Sequence, residues 1–341
     1  WLPEDKRLNH APEILAFSER LQSAESSQIS VVIPLYIKET EIERALRSVV
    51  EQSLSVGEII VVNDGSRDDG ATDAIARSYG DKIRYYTKEN GGVSSALNMG
   101  IRHMQGEYFS WLSHDDSYET DKIEKQVAAI RQYSLEDNTL ICCKSSLMDA
   151  DSNPIFKRPT ASKFVSYRVY SSKEVLSELL KKSTFNGCCL LIPRKVFSQC
   201  GLFDERLRFC QDAFMWYKIF MKDFSLLCTD DASVKSRVHA GQLTQKGQKL
   251  FKKECEEISR ILVEDFAELS TEEYNFYRMY LYSDARYFSF DRVKQIISTG
   301  RKRNLLSKYD EIKALCICSY GYVRPTIRKV YYAVFRGIKT K

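Results

Sequence analysis

The sequence predicts an α/β protein, a mostly parallel sheet flanked by helices and continued by an α-helical extension toward the C-terminus. Three observations carry this. Two apolar, β-branched runs have the same design: Ile29-Ser30-Val31-Val32-Ile33 stops at Pro34 and opens into Leu35-Tyr36, and Glu58-Ile59-Ile60-Val61-Val62 opens into Asn63-Asp64-Gly65-Ser66. Segments with helical spacing alternate with these strands, the pattern of a doubly wound sheet. From residue 247 onward the strand signals give way to helical spacing alone.

Taken in order, residues 1–28 form an N-terminal helical segment with Ile14, Phe17 and Leu21 on one face, then a polar stretch. Glu39 to Gln52 places Ile42, Ala45, Leu46, Val49 and Val50 on one stripe, a helix that covers the sheet. After the second strand a helix reaches about Tyr79, followed by a short strand from Ile83 to Thr87 and a helix from Ser94 to Met104. Tyr108-Phe109-Ser110-Trp111-Leu112 is a further strand, and it delivers Ser113-His114-Asp115-Asp116 to a loop. A charged helix over Tyr118 to Tyr133, a strand over Thr139 to Ser145, a helix over Lys173 to Lys182 and a buried strand ending at Pro193 follow. Phe214, Trp216, Tyr217 and Phe220 mark a helix whose start carries Gln211-Asp212, and Val234 to His239 alternates as a strand. The main α/β domain is placed at 29–246, with halves at about 29–117 and 118–246, and the helical extension at 247–341.

The chain of 341 residues is 43% hydrophobic and 28% charged, which suits one domain with an ample core plus an appendage. Ten cysteines, two pairs of them adjacent and none at zinc-ligand spacing, point to reduced, buried thiols and a cytoplasmic setting. No apolar run approaches the ~18 to 20 residues of a membrane span. The net charge of +5 is uneven: residues 300–341 hold 11 basic and 2 acidic side chains, a local +9, against −4 for the rest. After Pro325, the apolar stripe of Ile327, Val330, Val334 and Ile338 among basic residues makes an amphipathic helix. It suits the anionic inner face of the cell membrane, its own domain or a partner.

Ligands of an open parallel sheet bind outside the carboxyl ends of its strands, so Tyr36, Asp64 and the Asp115-Asp116 pair would share one rim. Tyr36 is either a strand-end aromatic or a platform for a nucleobase. Asp64 either closes an Asx-turn with Gly65 or accepts an N–H from a pyrimidine ring. Adjacent carboxylates at the end of a buried strand repel unless solvent or a cation offsets them, and hard divalent cations take such oxygen ligands. His114 would turn away along the strand's alternation.

At these residues the chain resembles the family-2 glycosyltransferases over roughly Ile29 to His239. The marks are Val32-Ile33-Pro34-Leu35-Tyr36, Val61 to Ser66, Asn90-Gly91-Gly92-Val93-Ser94 through Asn98-Met99-Gly100, Leu112 to Asp116, and Gln211-Asp212. The resemblance implies a Rossmann-like GT-A fold and an inverting transfer from a UDP- or dTDP-type sugar to a saccharide, lipid-linked or protein-linked acceptor, as in surface polysaccharide or glycoconjugate synthesis. It implies nucleotide-sugar contacts at Pro34, Tyr36, Asp64, Asn90, Asn98 and Asp115. Mn²⁺ or Mg²⁺ would be held by Asp115 and Asp116 and completed by His239, with Arg237 balancing diphosphate charge and Asp212 as general base. Ser113, Leu97 and Gln211 depart from the family's usual Asp, Arg and Glu, which leaves a non-catalytic partner subunit as the alternative. A dinucleotide oxidoreductase is disfavoured because no G-x-G-x-x-G follows the first strand. Nucleic acid is not expected as a partner, since the basic tail would leave the three carboxylates unexplained. A homo-oligomer stays open.

Overall fold

A computed structural model describes residues 28–37, 39–155, 164–180, 185–238, 290–302 and 306–319, with single residues or short runs between 250 and 281. The chain divides into two compact units, the first of residues 1–179 and 183–254 and the second of 180–182 and 255–341.

The first unit is built on an eight-stranded mixed sheet. Its strands are β1 (Ile29–Leu35), β2 (Glu58–Asn63), β3 (Arg84–Thr87), β4 (Tyr108–Trp111), β6 (Thr139–Cys142), β9 (Val169–Tyr170), β10 (Leu190–Pro193) and β11 (Ser225–Cys228), in the order β3-β2-β1-β4-β10-β6-β11-β9. Pairings among β3, β2, β1 and β4 are parallel, whereas β10 enters antiparallel to both β4 and β6. A smaller sheet of β5 (Ser117–Tyr118), β7 (Ser145–Met148), β8 (Pro154–Ile155) and β12 (Val234–Arg237) has the order β5-β12-β7-β8. The helices of this unit are α1 (Glu39–Val50), α2 (Ala71–Arg77), α3 (Val93–His103), α4 (Lys122–Gln132), α5 (Ser172–Leu180), α6 (Lys195–Cys200) and α7 (Gln211–Phe220).

β1 is buried along its whole length, as a central strand covered on both faces must be. It runs through Pro34 to Leu35 rather than stopping at the proline. Pro34 pairs only with Val62 of β2, because the β4 partner register ends at Val32, so no ladder bond is lost through the missing N–H. On one face α3 approaches so closely that a Cβ on Gly100 would lie 2.3 Å from Val32. Two further boundaries differ from the periodicity. Tyr118 belongs to β5 and not to the charged helix, since its hydroxyl is drawn inward to Ser110 and the Trp111 carbonyl. The 139–145 stretch breaks after Cys142, and Ser145 starts β7 in the other sheet.

Within the second unit, α8 (Phe290–Lys302) and a helix over 308–319 bury Val293, Ile296, Ile297, Ala314 and Cys318. Ser307 and Asp310 exchange a capping pair of bonds at the start of that helix (3.0 and 3.2 Å). Among the described residues no helix is long and apolar enough to cross a membrane. The expected helix over 1–28, the amphipathic helix after Pro325 and His239 lie outside the described residues.

Candidate active site

The chain passes from β1 outward to β2 and β3, then returns to lay β4 on the other side of β1. This reversal makes the carboxyl ends of β1 and β4 the topological switch point, the place where an open α/β sheet binds ligands. The register sets Leu35 opposite Asn63, and Asp64 N–H donates to the Leu35 carbonyl (2.9 Å), so the β1 and β2 exits stay together. Ser66 Oγ accepts from the Ile37 N–H (3.0 Å) and ties the two loops again. Tyr36 stands at this rim, 43% exposed.

Asp64 is buried, and its carboxylate accepts three bonds from the chain. Lys88 Nζ lies 2.8 Å from Oδ1, Gly91 N–H donates to Oδ1 (2.9 Å) and Gly92 N–H to Oδ2 (2.7 Å). Asn90 donates its side-chain amide to the Asp64 carbonyl (2.9 Å). The close approach requires a glycine at 65: φ is +73°, and a Cβ there would sit 2.7 Å from the Asn90 nitrogen. Lys88 was invisible to sequence reasoning, because a lone lysine after a strand carries no spacing signal.

Asn98 does not reach the rim. Its amide nitrogen donates to the Phe203 carbonyl (2.9 Å) and Glu205 Oε1 (2.9 Å), while its oxygen accepts the Phe203 N–H (2.9 Å). It clamps the 203–205 loop onto α3, and Ser94 Oγ holds the same loop at the Leu207 carbonyl (3.2 Å). Leu97, where the family often carries arginine, is wholly buried.

At the end of β4, Asp116 is 8% exposed and Oδ1 accepts the Arg237 N–H (2.9 Å). Burial, reinforced by the charge of Asp115, pushes its carboxyl up to about 7, only partly offset by Arg237 and a hydrogen bond from Cys188. Cys188 also bonds Ser113, its sulfur 3.3 Å from the backbone nitrogen and 3.4 Å from Oγ. Cys188 was not legible in the sequence as a partner of this loop. Arg237 is turned inward, which corrects its expected place beside a diphosphate: β12 ends buried, and the guanidinium donates to the carbonyls of Asp115 (2.9 Å), Asp149 (3.0 Å) and Ala150 (2.7 Å) and to Ser152 Oγ (3.0 Å). It fixes the main chain of the carboxylate loop. Among the described residues no group of three His, Cys, Asp or Glu is arranged to hold a metal ion. The pair Asp115-Asp116 does offer the hard oxygen donors that Mg²⁺ or Mn²⁺ takes, and a buried carboxyl raised by its neighbour's charge is what a cation would relieve.

Asp212 stands in the first turn of α7, where Oδ1 accepts the Ala213 N–H (2.6 Å). Burial raises its carboxyl to about 6 despite that bond. Beside it, Gln211 is 8% exposed, and its Oε1, like Trp111 Nε1 on β4, is buried without a hydrogen-bond partner. One of these two unpartnered atoms adjoins the carboxyl of α7 in the chain and the other lies on the strand feeding Asp115. The loop before α7 abuts the Asn90–Gly92 turn, since a Cβ on Gly92 would lie 3.1 Å from the Arg208 guanidinium.

The model of the family described as "Glycosyl transferase family 2" matches residues 30–201. The chain belongs to glycosyltransferase family 2. An uncharacterized glycosyltransferase of Rickettsia typhi is 42% identical over 226 residues, 65% of this chain and 68% of the relative. One from Rickettsia conorii is 42% identical over 219 residues, covering 64% of this chain and 35% of the relative, so the chain spans about a third of that protein. Among solved structures, residues 1–349 of S. aureus TarS in complex with UDP-GlcNAc superpose with a TM-score of 0.62 at 16% identity, over 89% of this chain and 92% of that one. The likeness shows the GT-A fold, with its helix-flanked mixed sheet and C-terminal helices. The rim described above is where this fold presents the strand-end loops.

Proposed function

We propose that the protein is an inverting, metal-dependent glycosyltransferase that moves a hexosyl or N-acetylhexosaminyl group from a UDP- or dTDP-type donor to a hydroxyl of a saccharide or glycoconjugate acceptor. The observation that carries the reading is Asp212, a carboxyl at a helix start whose proton affinity is raised to about 6, beside an orphaned amide oxygen. A base whose pKa lies just below neutrality is ionised at working pH and still accepts a proton well.

In this reading Tyr36 and the Asp64–Asn90 turn seat the nucleobase. Asp64 holds the glycine turn in shape through Gly91 and Gly92, and its remaining lone pair is available to a pyrimidine N–H. Asp115 and Asp116, completed by His239, would hold Mn²⁺ or Mg²⁺, which neutralises charge on the departing diphosphate. Asp212 takes the hydroxyl proton as the acceptor oxygen bonds to the anomeric carbon and the bond from that carbon to the phosphate oxygen breaks. Arg237 and Asn98 act on the main chain, holding the Asp115 loop and the 203–205 loop. The basic tail beyond Arg324 brings the enzyme to an anionic membrane surface. Nucleotide diphosphate release from a panel of UDP- and dTDP-sugars, with and without Mn²⁺, tests the reading; no release with any donor of either nucleotide type would favour the non-catalytic alternative.

A further inference from the structure

The start of α7 has no side-chain cap of its own: Cys210 occupies the cap position and makes no such bond. The cap comes instead from far along the chain. Glu254, 5% exposed and on a helical turn at 253–255, receives three consecutive main-chain N–H groups. Arg208 N–H donates to Oε1 (2.8 Å), and Phe209 and Cys210 N–H donate to Oε2 (2.8 and 3.0 Å). Successive N–H groups converging in this way form an anion nest, and here the anion is a buried carboxylate 44 residues distant from Cys210. Asp212 follows Cys210 by two residues.

We infer that Glu254 is a positioning residue for Asp212: its carboxylate occupies the nest before α7, fixes where that helix begins, and thereby sets the carboxyl of Asp212 against the acceptor. Two features of the geometry support a positional role beyond general stabilisation. The 203–210 loop is already anchored upstream by Asn98 and Ser94, so the Glu254 bonds govern its last three residues, those adjoining Gln211 and Asp212. The Asp212 carboxylate in turn accepts the Ala213 N–H and its own, both in the first turn of the helix whose start Glu254 fixes. A displacement of about 1 Å in a reacting group costs on the order of 10²-fold in rate. The nucleotide-side contacts of Asp64 involve none of these atoms.

The inference rests on Asp212 as the base, and the test separates the two. UDP release with Mn²⁺, UDP affinity by calorimetry and thermal stability are measured for the intact wild type, D212N, E254A and E254Q. Glu254→Ala should lower kcat about 10- to 100-fold with UDP affinity within about twofold, and sodium formate, which fits the emptied nest, should raise both its kcat and its melting temperature in a saturable way. Glu254→Gln, isosteric but with a single acceptor oxygen, should fall between wild type and E254A and ignore formate; it carries the test if E254A fails to fold. Wild-type kcat in E254Q and E254A, UDP affinity falling in step with kcat, or no effect of formate on E254A would overturn the inference. Wild-type kcat in D212N would overturn the base reading instead, while the formate response of E254A would still report the nest.

Discussion

Asp212→Asn should make the protein more stable and nearly inactive, and the size of both effects follows from one carboxyl. Its ordinary pKa of 3.8 is raised in the folded chain to about 6 by burial. At 1.36 kcal/mol for each pKa unit, the folded state carries a penalty of up to about 3 kcal/mol for holding this group ionised. The sign is fixed by the direction. Because the folded pKa is raised, the folded state binds the proton more readily, so the penalty is absent below pH 3.8, grows as pH rises and is complete above about 6. Asparagine keeps the same shape and can retain the bond from the Ala213 N–H without the charge. Urea unfolding should therefore find D212N more stable than wild type by up to about 3 kcal/mol at pH 7.5 and by about half that at pH 5. Turnover should fall by roughly 10² to 10⁴ with UDP affinity nearly unchanged, and the wild-type kcat/KM should decline on the acid side with a midpoint near 6. A variant less stable than wild type at pH 7.5, or a stability difference independent of pH, would refute the burial argument. Retained turnover would refute the base.

Asp115→Ala should abolish the Mn²⁺ dependence of UDP binding and of turnover while leaving the far-UV circular dichroism unchanged; activity that persists and still requires metal would exclude Asp115 as a ligand. Gly65→Ala forces a side chain into φ +73° with a backbone nitrogen 2.7 Å away, so the Asp64 turn must shift, and calorimetry should show weaker UDP binding together with a loss of about 1–3 kcal/mol in stability. Asn98→Ala leaves the buried Phe203 N–H and C=O unpaired and should destabilise by about 1–3 kcal/mol; a larger loss of UDP affinity than of stability would return Asn98 to the donor site. Removing the residues after Arg324 should abolish salt-sensitive binding to phosphatidylserine vesicles, to which each basic residue contributes about 1 kcal/mol. Aggregation of the truncated protein, with vesicle binding absent from the intact one, would place that helix in the core instead.

The sequence by itself determined the fold class and the rim. Strand periodicity, the turn residues after β1 and β2 and the carboxylates after β4 are local signals. In an open sheet the carboxyl ends of the strands are where a ligand goes, so Tyr36, Asp64, Asp115 and Asp116 could be grouped before any coordinates. The position of Asp212 at a helix start was legible for the same reason, from the aromatic spacing after it. What only the tertiary structure decided is which side chains are taken up by the chain itself. Asn98 lies in a motif and Arg237 on an alternating strand, yet a buried amide or guanidinium must satisfy its donors, and the acceptors are the carbonyls of Phe203 in one case and of Asp115, Asp149 and Ala150 in the other. Lys88, Cys188 and Glu254 escaped sequence reasoning because each meets its partner through a fold contact across 24 to 75 residues, and no local pattern encodes such a distance. The antiparallel entry of β10 and the division of 139–148 between two sheets are likewise pairing choices, set by which strands lie alongside in the fold and not by the composition of the strand.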